Sequence, residues 1–240
     1  MYSREELQSK LPLNKVLPFA NVDGIGNRTS IFVQGCDLRC IYCHNPETQD
    51  VRFKEREVSI EELIEEIEPY MPYVRGITVS GGEPTLYYKQ LTVLFQELHK
   101  KNLTCYLDSH GYFDRNQIAP LIDVTDKFLF DVKTTANSSD LIGVNKKGNL
   151  ENLKYLLKLN KVEEVRHVAL TSLVDSEEVI REVSQILKDY PGVLLKIIKV
   201  HTRGSKNEDL IKDKIPSNKF MSNLGKIASD IGVERIKVQL

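Results

Sequence analysis

Gly35-Cys36-Asp37-Leu38-Arg39-Cys40-Ile41-Tyr42-Cys43-His44 carries three thiols at C-x3-C-x2-C spacing, directly after the short apolar run Ile31-Phe-Val-Gln34. Three thiolates on one short loop can hold three corners of an iron–sulfur cluster. The fourth iron is left without a nearby cysteine, so it can bind a non-protein ligand and do chemistry as well as carry electrons. Other uses of the thiols compete with this reading. A disulfide framework is disfavoured: there are four cysteines in 240 residues, no signal sequence and a highly charged composition, which together point to a reducing cytoplasm. Structural zinc would need Cys105 or His44 as fourth ligand, and zinc sites usually pair two close cysteines with a second, distant pair that is missing here. A four-cysteine electron-transfer cluster would again need Cys105, which stands alone in an apolar strand and reads as a small buried hydrophobe.

Working outward, 240 residues suffice for one sizeable domain, here expected over residues 1–240. A net charge of −1 and a pI near 6.5 argue against a nucleic-acid partner. No apolar run approaches membrane-spanning length. The opening Met1-Tyr-Ser-Arg-Glu-Glu-Leu7 has no apolar signal core, so a cytoplasmic location is expected.

Short apolar runs alternate with amphipathic segments. Strands are expected at Ile31–Gln34, Ile77–Ser80, Leu103–Leu107, Lys127–Asp131, Glu164–Ala169 and Val193–Val200, with a last short one at Arg235–Val238. Between them, Ser59 with Glu62 forms a capping box ahead of Ile60, Leu63, Ile64 and Ile67, which share one helix face. Further helices carry Leu91, Leu94, Phe95 and Leu98; Leu150, Leu153, Leu156 and Leu157; and, after the cap Asp175 and Glu178, Val179, Val183, Ile186 and Leu187. A final helix through Leu224, Ile227 and Ile231 ends at Gly232. This alternation predicts an α/β fold with a parallel sheet and right-handed crossovers, either doubly wound or barrel-like. Polar residues follow the C-terminal ends of most strands: the cysteines, Gly81-Gly82-Glu83, Asp108, Asp131 with Lys133, and His201. A β/α barrel builds its site at that end.

Each motif also has a plainer reading. Ser80-Gly81-Gly82-Glu83-Pro84 lets a ligand approach bare backbone or is an ordinary strand-to-helix turn. Val22-Asp23-Gly24-Ile25-Gly26-Asn27-Arg28 lacks the third glycine of a dinucleotide fingerprint and reads as a glycine-rich loop. Asp108 and Asp131 cap turns or, with Lys133, surround a charged ligand. Arg166 faces solvent by default, because a buried arginine needs an anionic partner. His201 by itself is a surface or packed residue. Lys196, Lys199, Arg203 and Lys206 read as a solvated edge that could meet an acidic partner, and the acidic run from Glu61 to Glu68 as a solvated helix face.

Taken together, the cysteine loop with its Tyr42 and the Gly81-Gly82-Glu83 turn one strand later resemble the radical S-adenosylmethionine (SAM) enzymes. The segment Val22–Arg28 resembles V-D-G-P-G-x-R of the glycyl-radical enzyme activating enzymes, a resemblance covering nearly the whole chain. It implies a partial (β/α)6 barrel with core 27–204, an N-terminal extension and substrate-side loop at 1–26, and a C-terminal helix and strand at 205–240. It implies one [4Fe–4S] cluster on Cys36, Cys40 and Cys43, because the ferredoxin-like insert of many relatives is absent. It further implies reductive cleavage of SAM and hydrogen-atom abstraction from a glycine of a partner enzyme, with flavodoxin or ferredoxin as electron donor. By resemblance, Tyr42, Gly81, Gly82, Glu83, Asp108, Lys133, Arg166 and His201 lie around SAM. Asp108 and Asp131 would hold a monovalent cation, and Asp23 and Gly24 would lie on the substrate side near the mouth of the site. Departures are Ile25 for proline, His110 for the usual Asn, Leu170-Thr-Ser172 for V-P-G and Lys199-Val-His201 for P-Y-H. The rivals are a small-molecule radical SAM enzyme of the deazaguanine-synthase kind and a non-catalytic metal- or cluster-binding protein.

Overall fold

The computed structural model describes residues 3–52, 56–135, 142–143, 149–172 and 174–240, and these fall into two compact units. The first comprises residues 1–37, 47–109 and 113–129; the second comprises 38–46, 110–112 and 130–240.

In the first unit, helix α1 (Arg4–Leu7) leads into strand β1 (Lys10–Ala20), followed by β2 (Arg28–Val33), β3 (Glu57–Ser59), α2 (Ile60–Ile67), β4 (Gly76–Gly81), α3 (Tyr88–Lys100), β5 (Thr104–Ser109) and α4 (Ala119–Val124). The strand order is β3-β1-β2-β4-β5. β2, β4 and β5 run parallel, with Ile31 opposite Val79 and Ile77 opposite Cys105. β1 is antiparallel to both β2 and β3. This eleven-residue strand is not visible in the sequence as a strand, because Pro12 and Pro18 and the polar Asn14-Lys15 break its pattern. Proline is tolerated at sheet margins and bulges, and Pro18 sits where the β1–β2 register shifts between Leu17 and Ala20.

Strand β6 (Lys127–Asp131) belongs to the first unit up to Leu129 and to the second from Phe130. The second unit continues with α5 (Leu150–Lys158), β7 (Val162–Ala169), α6 (Ser176–Leu187), β8 (Leu194–Lys199), α7 (Glu208–Ile211), α8 (Asn218–Ile231) and β9 (Ile236–Gln239). Here β7, β8 and β9 are parallel in that order. The expected α/β class with a largely parallel sheet is therefore observed.

Local chemistry sets the helix ends. The Ser59 hydroxyl accepts from Glu62 N at 3.1 Å, and the Glu62 carboxylate accepts from Ser59 N at 2.6 Å, so two orphan amides of α2 are satisfied. Asp175 accepts from Glu178 N at the start of α6. Gly232, at φ +112°, closes α8 in the left-handed conformation that glycine adopts without strain. Apolar faces bury as the spacing predicts: Ile60, Leu63 and Ile67 on α2, Leu91, Leu94, Phe95 and Leu98 on α3, and Val179, Val183 and Leu187 on α6. Ile64, Leu150 and Ile186 are half-buried at the margins of these faces.

Candidate active site

In the first unit, the end of β2 is wrapped by residues 47–50. Gly35 N donates to Thr48 O at 2.7 Å and Cys36 N to Gln49 O at 3.2 Å. Gln34 Nε2 donates to Glu47 O and Asp50 O, each at 2.9 Å. The Gly81-Gly82 turn packs directly on this segment: Gly82 N donates to Val33 O (3.0 Å) and Glu83 N to Gly35 O (2.8 Å). Both glycines are demanded by this approach. Gly81 has φ +105°, and a Cβ on it would lie 2.5 Å from Val33 O. A Cβ on Gly82 would lie 2.5 Å from the Gly35 carbonyl carbon and overlap its oxygen. The bare backbone of this turn thus accommodates the polypeptide that presents Cys36.

Glu83 is buried. Its carboxylate accepts from Thr85 Oγ1 at 2.6 Å and from Ser109 Oγ at 2.8 Å, tying the turn to the end of β5. Asp108, one residue earlier on β5, accepts from Ser80 Oγ at 2.9 Å. Asp23 lies elsewhere. Its carboxylate accepts from Ser30 Oγ and its carbonyl from Thr78 Oγ1, both at 2.6 Å. Gly24 (φ +111°) abuts the Tyr106 ring, and Gly26 abuts Arg75. The loop 21–27 is therefore held toward the N-terminal ends of β2 and β4, opposite to the ends that carry Cys36 and Gly81. Arg28 locks it. Only 1% exposed, this side chain donates to Thr78 Oγ1, Thr104 Oγ1, Ile77 O and Thr104 O and stacks 3.7 Å from the Tyr106 ring centroid.

The second unit holds the rest of the cysteine loop. Cys43 N donates to Cys40 O (3.2 Å), closing a turn. Two side chains from beyond β8 clamp it: Ser205 Oγ and Asn207 Nδ2 donate to Ile41 O at 3.2 and 3.0 Å. Arg39 N donates to Ile142 O at 2.7 Å. Nothing in the run Arg203–Asn207 marks it in the sequence as a support for the cysteines. His44 stacks parallel on His201 with ring centroids 3.9 Å apart. Burial, then the neighbouring His201, hold the His44 pKa below its ordinary value.

Tyr42 is buried and its hydroxyl has no hydrogen-bond partner among the described residues. Burial raises its pKa well above the ordinary phenol value. Lys133 Nζ lies 5.7 Å from the Tyr42 ring centroid and pairs with Asp131 at 2.5 Å. Burial opposes charge on both partners. For Asp131, Lys133 and then Arg166 overcome it and hold the carboxyl below its ordinary range. For Lys133, Asp131 overcomes it and the ammonium pKa is raised. Arg166 does not take the solvent-facing default. It is 9% exposed and donates through Nε to Glu164. Lys196, expected on a solvated edge, is buried beside the same carboxylate. Both follow from one face of β7 and β8 pointing inward, which period-two alternation cannot distinguish from an outward one.

The donor set fits a three-cysteine cluster. Cys36, Cys40 and Cys43 are partly exposed thiols, whereas Cys105 is fully buried in β5. Burial raises the Cys105 thiol pKa, and its S–H points to Phe95 O and Leu103 O at 3.8 and 3.9 Å. The buried Tyr42 hydroxyl and the buried, unbonded His44 Nε2 flank Cys43 in sequence and supply polar atoms that a bound group would satisfy.

Residues 30–190 match the radical SAM superfamily. A Haemophilus influenzae protein named as a candidate glycyl-radical enzyme activating enzyme is 43% identical over 94% of this chain and 95% of its own. The pyruvate formate-lyase-activating enzyme of Staphylococcus epidermidis is 35% identical over 80% of this chain and 82% of its own. Among solved structures, QueE from Escherichia coli superposes with a TM-score of 0.55 at 17% identity, covering 88% of this chain and 94% of that one. Streptococcus suis SuiB bound to its precursor peptide SuiA superposes at 0.62 with 15% identity, covering 84% and 46%. At these identities the two structures speak for the fold alone. The protein is a radical SAM enzyme, of the class that uses a [4Fe–4S] cluster and SAM. Within it, the chain belongs to the glycyl-radical enzyme activating enzymes.

Proposed function

We propose that this protein abstracts a hydrogen atom from a backbone glycine of a separate glycyl-radical enzyme. The observation that supports this most is its similarity, along nearly its whole length, to the Haemophilus influenzae candidate activating enzyme. In this reading residues 1–240 act as one radical SAM domain, with Cys36, Cys40 and Cys43 holding the cluster. When bound, the cluster and SAM supply the one-electron chemistry. The chain's own residues bind and orient. Lys133, kept charged by Asp131, offers N–H donors to the SAM carboxylate, and Arg166 and His201 lie near it. Tyr42 and the Gly81-Gly82-Glu83 turn line the SAM side. Asp108 and Asp131 hold a monovalent cation. Asp23 and Gly24, anchored along β2 and β4 away from the cysteine end, meet the part of the partner's glycine segment that runs on past the SAM site as an extended loop. The protein takes its electron from a flavodoxin or ferredoxin and works in the cytoplasm. In keeping with this, no described helix is long and apolar enough to cross a membrane.

The test is anaerobic. Reconstituted protein, dithionite and SAM should give 5′-deoxyadenosine, and a co-purified glycyl-radical enzyme should gain a glycine-centred signal in electron paramagnetic resonance. Cys40→Ala should lose both. Product formation without a radical in any glycyl-radical partner encoded nearby would instead point to a small-molecule substrate. Absence of product from protein holding a full, reducible cluster would leave a non-catalytic cluster protein.

A further inference from the structure

In the second unit the cysteine loop is edged by cations. Residues 38–46 and 199–214 together hold six lysines and arginines against three carboxylates, in a chain whose net charge is −1. The run Arg203–Asn207 lies directly on the loop. Ser205 Oγ and Asn207 Nδ2 donate to Ile41 O, and a Cβ on Gly204 (φ +85°) would lie 3.5 Å from His44 O. Interleaved with these anchors, Arg203 and Lys206 are exposed and make no hydrogen bond or ion pair among the described residues. Arg39, between Cys36 and Cys40 in the chain, is exposed as well. Among the carboxylates that follow, Asp209 is offset by Lys212 at 3.0 Å, and its neighbour Leu210 is 59% exposed. Exposed cations need no partner for stability, so their position is what matters. Each is one residue from a contact with the polypeptide that carries Cys40 and Cys43. Like charges gathered there steer an oppositely charged partner, and an exposed apolar residue beside a charged rim is the anatomy of a small, transient protein interface.

We propose that Arg203 and Lys206, with Arg39 and the exposed Leu210, form the docking face for an acidic one-electron carrier protein. The inference deepens the activase reading and rests on it for the electron that SAM cleavage consumes. Electron tunnelling weakens steeply with distance, so a carrier must seat against the polypeptide that holds the cysteines, and this face touches it through Gly204, Ser205 and Asn207. Charge selects the carrier: an acidic surface is attracted and oriented, and a basic one is repelled. On contact the carrier gives up one electron and the cluster gains it, with no proton or atom exchanged. Arg203 and Lys206 act on encounter and orientation only.

The test is anaerobic and uses cluster-loaded protein without SAM, so that no turnover occurs. Binding of two acidic carriers, a labelled flavodoxin and a labelled ferredoxin, is read by fluorescence anisotropy at about 50 and about 300 mM salt, where screening differs. Wild-type protein should bind at least one of them, and more weakly at the higher salt. The double variant Arg203→Glu, Lys206→Glu should bind that carrier about tenfold more weakly at low salt, because two exposed attractions become repulsions, and should lose most of the salt dependence. The control Lys158→Glu, Lys188→Glu makes the same change in net charge at exposed positions that end α5 and follow α6, ahead of β7 and β8 and so at the opposite end of those strands. It should bind as wild type does. With SAM and dithionite in place of a carrier, the Arg203, Lys206 variant should still form 5′-deoxyadenosine at the wild-type rate. If charge reversal costs the cluster, Arg203→Gln, Lys206→Gln gives the same reading with a smaller loss, about threefold. The docking face would be overturned by equal binding in wild type and the Arg203, Lys206 variant, by no binding of either carrier, or by an equal loss in the control. A loss confined to the glycyl-radical partner would also overturn it and give the surface to the protein substrate. Wild-type protein with a full, reducible cluster that forms no 5′-deoxyadenosine with dithionite would overturn the activase reading, whatever the carriers do.

Discussion

Gly82→Ala should unfold the protein far more readily than its small size suggests, and the structure sets the scale. The new methyl would overlap the Gly35 carbonyl oxygen, lie 2.5 Å from its carbon and lie 3.0 Å from Thr48 O. Comfortable carbon contacts begin at roughly 3.5 Å, so two backbone segments must part by about 1 Å. That separation breaks Glu83 N–Gly35 O (2.8 Å) and strains Gly35 N–Thr48 O (2.7 Å). Each backbone hydrogen bond contributes about 1 kcal/mol, and backbone overpacking adds about 1–3 kcal/mol. A total near 3 kcal/mol is expected, equivalent to a fall in Tm of about 6–12 °C for a chain of this length. Because the displaced segment presents Cys36, iron content after reconstitution should drop as well. Gly192→Ala is the control: its Cβ would meet nothing within 4 Å, so a change between neutral and about +1 kcal/mol is expected. Urea or thermal unfolding of both variants checks the reasoning. A Gly82→Ala protein within about 1 kcal/mol of wild type, with full iron content, would refute it.

Other outcomes follow from particular side chains. Arg28→Met keeps the apolar stem but removes the four hydrogen bonds to Thr78 Oγ1, Thr104 Oγ1, Ile77 O and Thr104 O, and urea unfolding should show a loss of about 3 kcal/mol. His167 is buried between Val132 O and Ser176 Oγ, and burial lowers its pKa to about 4. The unfolded chain therefore binds a proton that the fold excludes: the stability is present in full above about pH 6.5 and is lost as pH falls toward 4. Across that window wild type should lose about 3 kcal/mol relative to His167→Asn, measured as the difference between their urea stabilities. Ser172 adopts φ +70°, so Ser172→Gly should raise stability by about 1 kcal/mol, and a lower Tm would contradict this.

Much of the site could be read from residue types in order along the chain. The cysteine spacing, the Gly81-Gly82-Glu83 turn and the acids Asp108 and Asp131 near the ends of β5 and β6 are patterns of residue types that can be read without coordinates. The α2 capping box and the Gly232 helix end were legible for the same reason, since each depends on residues within one turn. Cys105 was readable as core because an apolar strand surrounds it.

What the sequence by itself determined, then, is whatever depends on near neighbours: helix caps, strand and helix periods, and a set of three thiols with no fourth nearby. Only the tertiary structure decided the rest. It made residues 10–20 an antiparallel strand despite two prolines, because β2 and the more distant β3 pair with it on its two sides in the sheet. Likewise, the chain placed Asn207 and Ser205 against the Ile41 carbonyl across more than 160 residues. The same holds for Lys196, expected on a solvated edge, and Arg166, expected to face solvent, which are both buried beside Glu164. A strand's alternation says which residues share a face, and only the packing of neighbouring strands says which face is inside.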